Sequence, residues 1–379
     1  MKWGLLASLA CLVLSACSTG GPTPTTSSQP TPTLAAQPTA SATVAPTASR
    51  TAPATSGATP GVTPSPAPAD LPIWSQRSDV AAGPSAREDH TWTVNGDGSV
   101  AYLFGGRSTD GLSNELWAFD LVSDQWALLT PTGGPPAPRL GHTATWVPNV
   151  GLVVWSGQGS DFFADIWAYD PLTNAWHELP SLGDVPVARY GSCASLGPDG
   201  RLWISHGFTQ DSGRFSDTRA YDFSTGTWTD MTPAGDVPVK RCLHDCYWSS
   251  NQLILYGGQT TGVLALGDLW AYSLDDQTWR EGNSTDAPPR QLYALGTGLG
   301  DSGVALVLGG GSLDGGYLDD AWAIDPQTLD LVPRDVPGPR PAARSGATLI
   351  TDPDGRYLVF GGQNGSGLLA DLWELSGPV

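Results

Sequence analysis

"DIWAYDPLTNAW", residues 165–176, consists of two aromatic-rich runs around a polar turn, a pattern that is typical of a β-hairpin. Variants of the phrase recur along the chain: "ELWAFDLVSDQW" (115–126), "DTRAYDFSTGTW" (217–228), "DLWAYSLDDQTW" (268–279), "DAWAIDPQTLDL" (320–331) and a shortened copy, "DLWEL" (371–375). Self-similarity at a fixed period indicates one supersecondary unit that is used many times. The repeat therefore decides the fold.

An arginine opens each repeat, and the six arginines lie 49 to 54 residues apart: Arg87, Arg139, Arg189, Arg241, Arg290 and Arg344. A pair of small residues, "GG" in four of the units, follows each arginine after 16 to 19 residues and precedes the quoted phrase. Each unit thus contains four apolar runs with turn residues between them. This pattern predicts four short antiparallel strands per unit, which we name A to D.

A four-stranded unit cannot cover both of its faces alone, so six units are expected to stack around an axis as a six-bladed β-propeller. The combination of Arg-x-x-His, Gly-Gly and Asp-x-Trp-x-Tyr-Asp resembles the kelch repeat over residues 71–379, and this resemblance implies the same all-β fold. The sixth unit lacks strand D. Because Trp74 precedes Arg87 by the 13 residues that separate Trp126 from Arg139, the N-terminal segment is predicted to supply that strand and close the ring.

The region before the repeats has a different character. Residues 1–16 form a short apolar segment, and "LSAC" (14–17) resembles the signal of bacterial lipoproteins, in which Cys17 would carry the lipid. An ordinary signal peptidase site with an incidental cysteine is the alternative. Residues 17–70 are rich in Thr, Pro, Ser and Ala, which predicts a disordered stalk. The sequence therefore predicts an extracytoplasmic protein of the bacterial cell envelope, anchored to the bilayer through Cys17.

Composition limits the partners of this protein. The formal net charge is −19, with 37 acidic and 18 basic residues, so a nucleic-acid partner is excluded because it would need a clustered basic face. We expect a monomer that binds a protein or glycan ligand outside the cell. Neither a cofactor nor a metal ion is expected, and the three histidines of the repeats, His90, His142 and His244, are interpreted as packing residues.

Antiparallel order places the B–C and D–A connections, the repeat arginines and the acids that begin the quoted phrases on one side of the sheets. Longer and more variable loops on that side favour it as the binding face. The candidate ligand-binding residues are the six arginines together with Glu88, Phe162, Phe208 and Tyr317. Glu88 is the best candidate for proton chemistry. The alternative for the arginines is a set of structural ion pairs with those acids.

The cysteines allow one specific prediction. Cys193 and Cys246 lie on the first strands of neighbouring units, and export would permit a disulfide between them. The Cys-x-His-x-Cys sequence at 242–246 resembles a metal motif, but alternate residues of a strand lie roughly 6.8 Å apart, too far for one tetrahedral ion.

The function expected from the sequence is non-catalytic binding of a protein or glycan. The alternative is a carbohydrate-active enzyme, similar to a sugar epimerase or mutarotase or to galactose oxidase, because kelch propellers include such enzymes.

Overall fold

The computed structural model describes residues 72–77, 83–211, 213–283, 286–297 and 303–377. All of them lie in the compact unit Pro66–Val379. These residues form strands, turns and connecting segments, and none of them forms a helix. Accordingly, this part of the chain has no helix long and apolar enough to cross a bilayer. The predicted signal segment 1–16, Cys17 and the predicted stalk 17–70 lie outside the described residues.

The described residues contain six sheets with four consecutive antiparallel strands each, numbered here in chain order of their first strands. Sheet 1 comprises Thr91–Val94, Val100–Phe104, Leu116–Asp120 and Gln125–Leu129; sheet 2 comprises Thr143–Val147, Gly151–Trp155, Ile166–Asp170 and Ala175–Glu178; sheet 3 comprises Cys193–Leu196, Leu202–Ser205, Thr218–Asp222 and Thr227–Asp230. Sheet 4 comprises Asp245–Ser249, Gln252–Tyr256, Leu269–Ser273 and Thr278–Glu281; sheet 5 comprises Ala294–Thr297, Ala305–Ser312, Tyr317–Asp325 and Asp330–Pro333; sheet 6 comprises Ser345–Thr351, Tyr357–Asn364, Leu372–Ser376 and Ile73–Gln76.

Short strands extend this framework at the sheet edges and in the B–C connections. They are Leu182–Gly183 on sheet 3, Arg290–Gln291 on sheet 5, Gly367–Leu368 on sheet 6, the set Arg87–Glu88, Arg107–Ser108 and Gly111–Leu112, and the hairpin Phe208–Thr209 with Gly213–Arg214. The B–C connections of sheets 1, 3 and 6 therefore contain short paired strands.

The N-terminal strand pairs with the C-terminal one. Ile73–Gln76 runs antiparallel to Leu372–Ser376, with Trp74 opposite Leu375, as the offset of the repeat predicts. Arg77 continues this contact through ion pairs with Glu374 at 2.7 Å and Asp124 at 2.8 Å, which tie the segment to sheet 6 and to sheet 1.

The hydrophobic core lies between the sheets and not within them. Six clusters of buried side chains each join two sheets, in the order 1–2, 2–3, 3–4, 4–5, 5–6 and 6–1. Trp203 and Tyr272, for example, pack across the boundary of sheets 3 and 4 with ring centroids 5.5 Å apart. Each sheet is thus covered on both faces by neighbours, as a stacked arrangement requires.

Six backbone hydrogen bonds connect the sheets in a cycle at the start of their first strands. The residue two positions after each repeat arginine donates its amide to the carbonyl of the corresponding residue in the preceding sheet: Asp89 to Gly346, Gly141 to Asp89, Gly191 to Gly141, Leu243 to Gly191, Leu292 to Leu243, and Gly346 to Leu292, at 2.7 to 3.1 Å. All six residues have positive φ. The same residues and the strands that follow line a central cavity of about 470 Å³.

A disulfide joins sheets 3 and 4. Cys193 and Cys246 are bonded, with Cα atoms 5.5 Å apart, which confirms the predicted pairing. Cys242 is buried and contacts Gln259.

Trp74 provides a test of the N-terminal strand. Its side chain is 3% exposed and belongs to the core between sheets 5 and 6, so Trp74→Ala is expected to lower the free energy of unfolding by about 3–5 kcal/mol. The neighbouring Ile73 is 54% exposed, and Ile73→Ala should change it by less than about 0.5 kcal/mol. Urea unfolding of both variants measures the difference. Equal midpoints of urea unfolding for the two variants would mean that the N-terminal strand does not stabilise sheet 6.

Candidate functional site

An ion pair between the repeat arginine and the acid that begins the quoted phrase recurs in every sheet. The pairs, with their closest nitrogen–oxygen distances, are Arg87–Glu115 (2.7 Å), Arg139–Asp165 (2.8 Å), Arg189–Asp217 (2.6 Å), Arg241–Asp268 (2.5 Å), Arg290–Asp320 (2.9 Å) and Arg344–Asp371 (2.7 Å). All six arginines are at most 2% exposed. The alternative of structural ion pairs therefore describes these residues.

Each guanidinium is also bound to the backbone. In Arg139, Nε donates to the carbonyl of Ala137, Nη1 donates to the carbonyl of Ser156, and both Nη atoms donate to Asp165. The other repeat arginines bind equivalent carbonyls. Buried guanidinium groups whose donors are already used offer little to a ligand, so these contacts favour the ion-pair alternative over ligand binding for the six arginines.

Four of these acids have a lowered pKa, which favours their charged form. Burial acts to raise the pKa of Asp268, but hydrogen bonds from Arg241 and its charge outweigh burial, so the pKa is lowered. The same balance lowers the pKa of Asp217, Asp320 and Asp371. A carboxyl group whose pKa is lower in the folded state stabilises the fold at any pH above its pKa in the unfolded state. The contribution of these acids to stability is therefore present at neutral pH and is lost as the pH falls below about 4.

The first tryptophan of the phrase binds the same acid. Trp270 Nε1 donates to Asp268 at 2.7 Å, and its counterparts in sheets 1, 2, 5 and 6 make the same bond. In sheet 3, Arg219 occupies the tryptophan position, and its Nε donates to Asp217 at 3.1 Å. The departure from the repeat thus preserves a donor at this place.

The three aromatic candidates differ in exposure. Tyr317 is 36% exposed and Phe162 is half-buried, but Phe208 is only 9% exposed. Phe208 offers little surface to a ligand, because it exchanges backbone hydrogen bonds with Tyr190, whose ring lies against it at a centroid distance of 5.9 Å. Phe162 joins the same cluster, 6.0 Å from the rings of both Tyr190 and Phe208.

Arg214 is the functional candidate that sequence reasoning missed. Its side chain is 9% exposed and reaches from sheet 3 to the B–C connection of sheet 4, where it donates to Gln259 at 3.3 Å and to Thr261 at 3.2 Å. The guanidinium carbon lies 5.5 Å from the centre of the Phe208 ring. Within the described residues, no carboxylate lies within ion-pair distance of Arg214, and its Nε has no hydrogen-bond partner.

A sequence signal for Arg214 was present in the alignment of the repeats. It lies three residues before the acid of its unit, and the other five units have an apolar or aromatic residue there: Leu112, Phe162, Ala265, Tyr317 and Leu368. A charged residue at a position that is otherwise apolar has no role in the repeat itself. Its burial therefore needs a local explanation.

Glu88 is buried in an unusual setting. The residue is 0% exposed and forms an ion pair with Arg107, while its Oε2 accepts no hydrogen bond. The next residue, Asp89, has φ of 52°, and its Oδ1 is also buried without a hydrogen bond. Burial raises the pKa of Asp89 to about 7. The sequence did not point to Asp89, because its backbone conformation cannot be read from residue type.

The repeat histidines pack between sheets. His90 Nε2 lies 2.8 Å from Thr348 Oγ1, and His142 Nε2 lies 3.0 Å from Thr91 Oγ1. Burial, followed by the charge of Arg139, lowers the pKa of His142 to about 3. Among the described residues, no group of three or more metal-binding side chains is arranged to hold an ion.

Single substitutions separate packing from exposure among the aromatic candidates. Phe208→Ala is expected to lower the free energy of unfolding by about 3 kcal/mol, because the ring is buried against Tyr190 and Phe162. The more exposed Tyr317 serves as the control, and Tyr317→Ala should change the stability by less than about 0.5 kcal/mol. Denaturant unfolding measures both values. A Phe208→Ala variant as stable as the parent would contradict the packing role.

Comparison with known proteins identifies the repeat. The KLHDC2/KLHL20/DRC7 Kelch-repeats domain model matches residues 71–258, and the Attractin/LZTR1 beta-propeller model matches residues 202–373. The two matches overlap and together extend over all six sheets.

Curated relatives match shorter segments. Acyl-CoA-binding domain-containing protein 5 of Arabidopsis thaliana is 27% identical over 169 residues, which are 45% of this chain and 26% of the relative. Tip elongation aberrant protein 1 of Schizosaccharomyces pombe is 32% identical over 180 residues, 45% of this chain and 15% of the relative, and Kelch domain-containing protein 2 of Bos taurus is 32% identical over 104 residues, 26% of this chain and 25% of the relative. The chain thus spans no more than about a quarter of the length of these relatives. Its repeat region is a kelch-type β-propeller.

Proposed function

We propose that this propeller binds an extracellular protein through an acidic group that docks on Arg214. The observation that carries the proposal is that Arg214 is only 9% exposed and that, among the residues the structure describes, no carboxylate lies within ion-pair distance of it. This is unusual in a chain that has 37 acidic residues. A buried charge without a counter-ion raises the free energy of the folded protein. A ligand carboxylate that pairs with Arg214 should therefore contribute more binding free energy than one that pairs with an exposed arginine.

The surroundings of Arg214 suit such a ligand. Gln259 and Thr261 fix the guanidinium from one side, and Phe208 packs beside it. The nearby Phe162 is half-buried and offers an accessible aromatic surface for an apolar neighbour of the acid. Because these neighbours already orient the guanidinium, the Arg214 side chain loses less conformational entropy when a ligand binds.

We further propose that the six sheets are the blades of a closed six-bladed propeller, with Ile73–Gln76 as the outer strand of the sixth blade. The cyclic order of the six inter-sheet cores and the cycle of six backbone hydrogen bonds support this arrangement. Closure leaves the B–C hairpins as a rigid face on which Arg214 has a fixed position.

The location outside the cell is part of the same proposal. The "LSAC" sequence at 14–17 and the Thr/Pro/Ser/Ala-rich segment that follows support a lipid anchor on Cys17 and a stalk that separates the propeller from the bilayer. The propeller would then meet soluble or surface-bound ligands outside the membrane.

Substitution of Arg214 tests the binding proposal. Full-length protein would be measured against peptide arrays that contain acidic, neutral and basic sequences, with a glycan array in parallel. Binding to acidic peptides is expected, and Arg214→Gln should weaken it about 10- to 100-fold, because hydrogen bonds to charged groups contribute about 1.5–3 kcal/mol.

Arg340 provides the matched control. It lies in the D–A connection before sheet 6, is paired with Asp319 at 3.1 Å, and its side chain is 44% exposed. Arg340→Gln removes the same charge and should leave affinity within about twofold. Equal losses in the two variants, or binding confined to glycans, would exclude Arg214 as the docking site for an acidic protein ligand.

The anchor is tested separately. Cys17→Ser should move the protein from the membrane fraction to the soluble fraction, because the variant lacks the thiol that would carry the lipid. Fractionation and immunoblotting measure the distribution, with the buried Cys242→Ser as a control that keeps the anchor. A Cys17→Ser protein that stays in the membrane fraction would contradict the lipoprotein proposal.

A further inference from the structure

His244 is the repeat histidine that lacks the partner of its counterparts. His90 Nε2 lies 2.8 Å from Thr348 Oγ1, and His142 Nε2 lies 3.0 Å from Thr91 Oγ1. Neither ring nitrogen of His244 has a hydrogen-bond partner, although the residue is only 6% exposed. A buried polar atom without a partner raises the free energy of the folded protein, so the environment of His244 needs an explanation of its own.

The position of the missing partner is occupied by Cys193. In both complete pairs the threonine lies four residues after a repeat arginine, and the histidine lies three residues after the arginine of the next sheet. The same offsets in sheets 3 and 4 give Cys193 and His244. Sheets 4 and 5 keep this contact with other residues, since Asp245 donates its amide to the Tyr293 hydroxyl at 3.0 Å. The carbonyl of Ser205, which lies opposite Cys193 in sheet 3, also approaches the His244 ring and acts to raise its pKa.

The disulfide explains why Cys193 does not serve His244 as the threonines serve their histidines. The Cys193 sulfur is bonded to Cys246 and has no hydrogen to donate. A free thiol at Cys193 could donate to the ring nitrogen that meets a hydroxyl in the other pairs. Burial, followed by the charges of His206 and Arg241, lowers the pKa of His244, so the ring is neutral at pH 7 and can accept this hydrogen bond. Reduction would therefore give His244 the partner that it lacks.

Sheets 3 and 4 are held together by contacts besides the disulfide. The Leu243 amide donates to the Gly191 carbonyl at 2.7 Å, two residues before Cys193. Trp203 and Tyr272 pack across the same boundary in the core. Among the described residues, the other five boundaries have contacts of these two kinds and no disulfide. Opening the bond should thus leave the two sheets in contact.

Both cysteines line the central cavity of about 470 Å³, and Cys246 is 4% exposed against 1% for Cys193. We propose that the Cys193–Cys246 bond is a reversible redox switch in the wall of this cavity, opened by a small dithiol, with His244 as the hydrogen-bond partner of the Cys193 thiol in the reduced protein. This inference does not depend on the acidic ligand proposed for Arg214.

The reaction is a thiol–disulfide exchange in two steps. One thiolate sulfur of the dithiol attacks Cys246 Sγ, the bond between the cysteines breaks, and its electron pair goes to Cys193 Sγ, which takes up a proton and then donates to His244. The second sulfur of the dithiol, as a thiolate, attacks the first. Cys246 Sγ leaves with the electron pair of the mixed disulfide and takes up a proton. The dithiol is thereby oxidised to a cyclic disulfide, and its two electrons and two protons reside on the cysteines.

A redox titration of full-length protein tests the switch. Protein is equilibrated in mixtures of reduced and oxidised dithiothreitol, and alkylation with peptide mass spectrometry reports Cys193 and Cys246 separately from Cys242. Both thiols should appear together while the near-ultraviolet circular dichroism stays native, and reoxidation should restore the bond. Thiols that form only when the native spectrum is lost would overturn the proposal.

Substitution of the histidine tests its role. His244→Ala should lower the equilibrium constant for reduction about 2- to 10-fold, because the reduced protein loses one hydrogen bond. His142→Ala is the matched control, since His142 has the same place in the repeat but contacts Thr91, and it should leave the constant unchanged. Equal constants for the parent and folded His244→Ala would exclude His244 as the partner of the thiol.

Nitrogen-15 NMR of the histidine rings gives a readout that does not need the His244 variant to fold. The Nε2 resonance of His244 should move on reduction of the parent protein, toward its value in Cys193→Thr, which supplies the hydroxyl of the other pairs. The His142 resonance should stay in place. A His244 resonance that is the same in the oxidised and reduced parent would overturn the proposal.

Discussion

Six backbone hydrogen bonds between successive first strands are the constraint on which the rest of the structure depends. Each donor is the residue two positions after a repeat arginine, and each has positive φ, which turns its amide toward the neighbouring sheet. The conformation favours glycine, and at Gly141 a Cβ would also come within 2.5 Å of the Tyr190 ring. In all six bonds the amide belongs to one unit and the carbonyl to the unit before it in the cycle. The buried arginines hold the chain just before these residues and so fix the orientation of the cycle.

The repeat allowed much of this architecture to be predicted from sequence. Residues that recur in every unit, such as the arginines and their acids, proved to be framework, and the shifted position of Trp74 predicted the pairing with the C-terminal strand. The Cys193–Cys246 bond was predictable because both positions have defined places in the repeat. Less of the candidate site could be predicted from the sequence. Burial of Phe208 depends on contact with Tyr190, and the positive φ of Asp89 is a backbone angle that residue types do not reveal.

The charged residues of the repeat are paired with one another, which distinguishes them from the charged residues that depart from the repeat. The chain has a net charge of −19, yet each repeat arginine is paired with one acid on the candidate binding face. Two departures from the repeat remain near that face: a positive group at Arg214 and a pair of carboxyl groups at Glu88 and Asp89. They belong to different units of the repeat, the third and the first, and neither is explained by the pattern that the other units share. Residues that depart from a repeat are thus better guides to function here than residues that keep it.

The pairing of the first strand with the last has a consequence for synthesis. Ile73 lies opposite Ser376, 303 positions later, so sheet 6 can be completed only after all six repeats have been made. Contacts of such long sequence separation form slowly, because the loop between them must close first. Until then Leu372–Ser376 presents an unpaired edge and Trp74 has no core to enter. A newly made chain therefore passes through a period in which it can associate with other chains, and any factor that shields this edge during folding would increase the yield of folded protein.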